Sequence, residues 1–473
     1  MPINSFLYPG AKVTTGYEVA NSCRWNRADS PYMRLDFSSA GNRDKWTFSC
    51  WVKKCSNGVE QRLLTASDNA TYDDNIRFNS DDTFNVICNS ATVLKTNRLF
   101  RDNSAFYHIC VIWDSGNGTS GNRCLLYVNG IRDTSFATES YPSADVDSHI
   151  NNNTPHYIGV TNATADSHHL HGYLAEVVFQ NDNADSPVDK FGEFDSDSPT
   201  IFKPIDVSGL TLGTNGTYLD FEDSSNLGND IGGGTDWTEV NFAATDQATD
   251  TPTNNFCTMN PLDNYYGGAT FSEGNCIVAT STSTSVYPFV TSTFGLTAGK
   301  WYFEVEAITV GGEHEIGIVG TNATATNHYL SLKGIGYNSA NGKVYKDNTE
   351  LWTGNTYAAD DVIGVAIDLD NLKCYFAKNG TWENSGDPTS GATGTGAASI
   401  TAVGSTVAGA YFIGFGQQGG GGGVSSRFNF GSPPTGFAIA SGNADANSYG
   451  NFEYAPPSGY LAICTKNLGS DGG

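Results

Sequence analysis

Gly299-Lys-Trp-Tyr-Phe-Glu-Val305, Asp361-Val-Ile-Gly-Val-Ala-Ile-Asp368 and Cys374-Tyr-Phe-Ala-Lys-Asn-Gly380 carry the information that sets the fold class. The first alternates apolar and polar residues with the period of a strand, and the second is an apolar run of strand length. The third closes on Asn-Gly, the pair that best tolerates positive φ at both positions of a two-residue hairpin turn. Working outward, 315–319, 411–415 and 427–430 read as further strands, and Asn341-Gly342 as another tight turn. Toward the N-terminus the same texture returns at 46–52, 84–88, 106–113, 124–128 and 174–179, with Asn129-Gly130 after the fourth of these. Helical periodicity of useful length is absent, so the chain is predicted to be all-β. Many short strands at regular spacing imply two antiparallel, jelly-roll-like β-sandwich domains.

Between them, 181–260 is dominated by Asp, Ser, Gly, Asn and Thr, with one strand at 217–221 and a break at Gly232-Gly-Gly234. It reads as an irregular connector that lends a strand or two to a neighbour. The expected organisation is an arm or docking segment at 1–19, a first sandwich at 20–180, the connector, a second sandwich at 261–465 and a flexible tail at 466–473.

Composition narrows the function. The chain has 473 residues, a net charge of -25 and only 16% charged residues, against roughly a quarter in an ordinary globular protein. Gly occupies 54 positions, and 26 Phe, 23 Tyr and 8 Trp favour strands and turns over helices. Coiled coils, helical bundles and acidic disorder are excluded. The acidic excess without Lys/Arg runs argues against a nucleic-acid partner, and no apolar run is long enough for a membrane helix. The start, Met1-Pro-Ile-Asn-Ser-Phe-Leu-Tyr-Pro-Gly10, lacks the features of a signal peptide. The 10 Cys lie within apolar alternation without metal spacing, which reads as buried free thiols.

Candidate chemistry is sparse. No catalytic residue is assigned, and the chain reads as a non-enzyme. Glu193-Phe-Asp195-Ser-Asp197 has alternating carboxylates, as a glycosidase strand would, yet lies among turn formers. Glu304 and Glu306 share a strand face that reads as solvated. His168-His169-Leu-His171, with His149 and His156 upstream, lacks a defined zinc ligand set. Gly419–Gly423 has no phosphate-loop lysine. Trp46, Trp51, Trp113 and Trp301 fall within strand patterns and are expected in cores. Tyr72, Tyr141, Trp352, Tyr357 and Trp382 fall in polar loops and are the candidate ligand-binding aromatics, with loop anchoring as the alternative.

The second region resembles a SPRY domain. Gly299-Lys-Trp-Tyr-Phe-Glu-Val305 looks like its opening strand and Gly334-Ile-Gly-Tyr337 like its mid-domain turn. The runs from Asp361 and Cys374 look like its central hairpin, and Phe428-Asn-Phe-Gly431 like its closing strand. The first region resembles the laminin-G-like, concanavalin A-like lectin/glucanase sandwiches through 46–52, 106–113, Leu125-Leu-Tyr-Val-Asn-Gly130 and His171-Gly-Tyr-Leu-Ala-Glu-Val-Val-Phe179. These resemblances imply binding domains that present loops. They also suggest calcium at the sandwich rim, with Asp73, Asp74, Asp81 and Asp82 as its candidate ligands and turn formation as the alternative.

The pairing of the two domains looks like a class of tailed-phage structural proteins, common in marine phages. It implies a virion surface protein, a tail fibre or adhesin, that binds a host-surface glycan or protein as a homo-oligomer, expected to be a trimer. The rival implication is a capsid or tail decoration protein that contacts only other virion subunits.

Overall fold

A computed structural model of the protein describes residues 16–68, 73–265, 268–280, 287–321, 329–418 and 422–471. It divides into two compact units at Asn254/Asn255, each a pair of antiparallel sheets around its own core.

In the first unit one sheet runs Ile131–Arg132, Cys124–Val128, Tyr107–Asp114, Lys45–Lys54, Gly172–Asn181, Ser22–Trp25 and Gln247–Ala248. The facing sheet runs Phe136–Glu139, Ala91–Thr96, Phe84–Cys88, Asp73–Phe78, Gln61–Ser67, Pro155–Ile158, Tyr32–Asp36 and Thr238–Val240. Strand alternation sends Ile109, Val111 and Trp113 into the shared core, where Trp113 stacks on Trp46 at 6.1 Å between ring centroids. Cys110 and Ile112 point to the opposite, outer face.

That outer face is covered by chain from the segment expected to be a connector. Its hairpin, Gly192–Phe194 with Phe202–Pro204, lays Phe202 against Trp51, and Val207 and Tyr218 pack over Cys110 and Ile112. The segment also places Phe221, Leu227 and Trp237 in the main core. It is therefore part of the first sandwich. The Asp-rich composition serves its turns: the Asp230 carboxylate accepts from the amides of Tyr218, Gly232 and Gly234, which lets a few large apolar residues anchor a mostly polar strap.

The second unit pairs Met259–Tyr265, Phe289–Ser292, Phe412–Gln418, Glu313–Val319, Gly334–Asn338, Lys343–Lys346 and Thr349–Thr353 in one sheet. The other runs Ala269–Ser272, Ile277–Thr280, Val424–Asn429, Lys300–Val310, Val362–Asp368, Lys373–Lys378 and Thr381–Trp382. Trp301, Phe303 and Val305 lie in the core. Glu304 and Glu306, expected to be solvated, are both buried. The chain near 450 folds over that face, and Glu304 accepts from the amides of Glu453 and Tyr454.

The C-terminal stretch expected to be a flexible tail forms the helix Thr465–Asp471, pinned by buried Asn467, which donates to Asp445 and to the Ala462 carbonyl. Of the expected N-terminal arm, residues 1–15 lie outside the described residues; Val19 is buried and its amide donates to Thr253 in the first sandwich. All ten cysteines are buried, and none forms a disulfide. Among the described residues no helix is long and apolar enough to cross a membrane.

Candidate functional site

The sequence-predicted aromatics do not assemble into one site. Tyr72 lies outside the described residues. Tyr141 is half-buried beside Gly121, and its hydroxyl donates to Glu139. Tyr357 is a core residue; its hydroxyl donates to the buried carbonyls of His314 and Tyr337. Trp352 packs on Tyr337 and Phe376, whereas Trp382 packs edge-on to Tyr375. Because Tyr375 and Phe376 are consecutive in a strand, the two tryptophans serve opposite faces of one sheet.

The four aspartates proposed for calcium also stay apart, at the two ends of the strand Asp73–Phe78. Asp73 binds Arg62 at 3.0 Å. Wholly buried Asp74 accepts from the amides of Asn89 and His149. Lys95 at 2.8 Å holds Asp81 down at about 2, and Asp82 faces Arg101 at 2.9 Å and the Gly58 amide. A hard cation needs several converging oxygens without competing cations, so these residues do not fit calcium. Among the described residues no group of three His, Cys, Asp or Glu converges for a metal. His156 and His171 are instead separately buried and pushed down to about 4.

Catalytic constellations are likewise incomplete. Glu193 and Asp195 share Lys203 at 3.2 and 3.4 Å in the outer hairpin. Each sandwich holds a Ser–His contact of 2.9 Å, Ser49 with His108 and Ser426 with His314. Burial pushes both imidazoles to about 3, and among the described residues neither Nδ1 has a hydrogen-bond partner, so no carboxylate orients the ring.

The first sandwich does present a cleft of 280 Å³ on its outer face, beyond the strap. Ile112, Leu125 and Tyr127 form its floor, because residues one apart from the core-facing positions of their strands face outward. The Asn129-Gly130 turn, with φ of 49° and 73°, returns the chain so that Arg132 lies directly opposite Tyr127. Arg132 is held by Asn122 at 3.2 Å and by the Gly121 carbonyl at 2.7 Å. Asn117 donates to Asp114 at 3.1 Å across the other wall. The Tyr127 hydroxyl has no hydrogen-bond partner among the described residues, and partial burial raises its pKa. An aromatic floor ringed by an amide pair, a carboxylate and a guanidinium suits a ligand rich in hydroxyls, with C–H faces for the ring and lone pairs for the donors.

Comparison with known proteins gives the two sandwiches their families. A model described as the concanavalin A-like lectin/glucanases superfamily matches residues 27–185, and the SPRY domain model matches 300–399. The chain carries a lectin-like domain and a SPRY domain. The SPRY domain of human HERC1 is 14% identical and covers 38% of this chain and 99% of its own, with a TM-score of 0.29. A heptameric SAP-like pentraxin from Limulus polyphemus is 14% identical over 40% of this chain and 90% of its own, TM-score 0.29. A Bacteroides ovatus protein provisionally described as carbohydrate-binding is 12% identical over 47% and 58% of the respective chains, TM-score 0.30. No curated protein matches. The first match is to a superfamily of lectins and glucanases, and the cleft lies within the matched residues. Sequence reading used 125–130 only as a fold marker; the alternation within it, which turns Tyr127 outward beside Arg132, was the available signal.

Proposed function

We propose that this chain is a non-enzymatic adhesin of a tailed-phage virion, whose lectin-like domain holds a host-surface glycan in the cleft around Tyr127. The cleft's chemistry carries the reading: Tyr127 offers a ring face, and Asp114, Asn117, Asn122 and Arg132 offer hydrogen bonds of both polarities. Asp114 is the only carboxylate among its lining residues. Paired-carboxylate glycoside hydrolysis needs a second at about 5–9.5 Å, so the arrangement favours holding a sugar over cutting it. The virion setting rests on the pairing of the two domains in the sequence, and a trimer would multiply weak single-site contacts.

Two experiments test this. The purified chain is expected to bind a saccharide class reproducibly on a glycan array without shortening it; silence from folded protein would move the reading to a decoration or assembly role, and cleavage to an enzyme. Immunogold labelling of virions is expected at fibre tips, and label spread over the head lattice would contradict adhesion.

A further inference from the structure

The SPRY domain contains a cavity of 350 Å³ that the reading above does not use. Its floor is apolar, formed by Phe289, Leu332, Ile335 and Tyr411. Its walls carry the hydroxyl-bearing residues Thr321, Thr401, Ser405 and Thr406, with one acidic residue, Asp347. Two lysines line it: Lys333, which ends the short helix Leu330–Lys333, and Lys346, which ends the strand Lys343–Lys346.

The state of these lysines sets the site apart. Elsewhere in this domain Lys300, Lys343, Lys378 and Arg427 each hold a carboxylate at 2.6–3.2 Å. Among the described residues Lys333, Lys346 and Lys373 have no such partner. Lys346 and Lys373 converge on Ser399 instead, one on its carbonyl and one on its hydroxyl, both at 3.2 Å. In a chain of net charge -25, three lysines outside any ion pair, set against the single carboxylate of Asp347, leave a local positive excess at and beside the cavity.

We propose that this cavity binds a carboxylate-bearing saccharide of the uronic acid class. The lysines take the carboxylate, the threonine and serine hydroxyls and Asp347 take the sugar hydroxyls, and the apolar floor takes a C–H face. The volume lies at the low end of ligand pockets, about 300–1,000 Å³, and suits a mono- or disaccharide. An acidic peptide is disfavoured because the strand bordering the cavity, Gly334–Asn338, is already paired on both sides, which leaves no edge there for strand addition. The site lies in the other domain from the Tyr127 cleft and stands whether or not that cleft binds a glycan.

Calorimetric titration of the full chain with digalacturonate tests it. Binding is expected, weakening with added salt, and weaker by about tenfold in Lys333→Gln/Lys346→Gln and for uncharged digalactose. Lys378→Gln, at a lysine that lines neither cavity, is expected to leave it unchanged. No binding, equal binding by the double variant or by digalactose, or an equal loss of binding in Lys378→Gln would overturn the proposal. Tighter binding of hexaglutamate than of digalacturonate would overturn it in favour of a peptide.

Discussion

Glu315 is wholly buried, and its carboxylate accepts from both the amide and the hydroxyl of Ser331, tying the helix Leu330–Lys333 to the strand beneath. Burial lifts its pKa from 4.5 to about 7. A carboxyl that holds its proton more tightly when folded adds stability that is complete below its unfolded pKa and is lost as pH rises through 7. Glu176 and Glu304 are raised to about 7 by burial in the same way. Buried His108, His156, His171 and His314, held low, act in the opposite sense, so the readout must be a difference between variant and wild type. Glu315→Gln is expected to gain on the wild type between about pH 5 and pH 8, by roughly 3 kcal/mol at most, in urea denaturation. A constant offset across that range would contradict the account. None of this was legible in the sequence, where Glu304 and Glu306 looked like solvated alternate positions; the chain that covers them comes from about 150 residues further on. Tyr357 misled for the same reason. Its neighbours Gly354, Asn355 and Thr356 are polar, while its partners are buried carbonyls of distant strands.

At the scale of elements, the outer hairpin depends on Phe202. Its ring stacks on Trp51 at 5.9 Å and occupies the space a Cβ would need at Gly130 and Gly192. Phe202→Ala is expected to destabilise the lectin-like domain by about 3 kcal/mol in chemical denaturation, within the range for losing a buried aromatic; a change under about 1 kcal/mol would show that the hairpin is not anchored there. The loops at the ends of Asp73–Phe78 make the opposite kind of prediction. With Arg62, Lys95 and Arg101 already holding their aspartates, a chelator is expected to leave melting temperature and ligand binding unchanged, and a chelator-sensitive melt would contradict that arrangement.

Elements were the most legible part of the sequence. Phe84–Cys88 and Cys124–Val128 match their predicted ranges, since two-faced strands write their period plainly. Asn129-Gly130 and Asn379-Gly380 take positive φ at both residues, as expected. At 341–342 only Gly342 does, and the two-residue turn of that region is Asp347-Asn348, with φ of 48° and 62°. Of the strap at 183–240 only the strand at 217–219 was legible; the others span three residue pairs each, too short to show a period, and the Asp side chains around them resemble those of a linker.

For the whole molecule, composition and strand texture were enough to foresee two β-sandwiches. Beyond the outward alternation of Tyr127, neither cavity was foreseeable, because each gathers residues from several strands and turns: Asp114, Tyr127 and Ala184 in one, Phe289, Lys346 and Ser405 in the other. A surface binder built on shallow polar sites profits from several copies. Light scattering at micromolar concentration is expected to give three times the 50.4 kDa chain mass, and a strict monomer would contradict the trimer. The central claim is that the Tyr127 cleft holds a glycan. Titrating the strongest array ligand into the wild type and into Tyr127→Ala tests it most directly. A loss of about tenfold or more in affinity, with the near-ultraviolet circular dichroism retained, is predicted; unchanged affinity in the variant would place the glycan elsewhere and contradict the account.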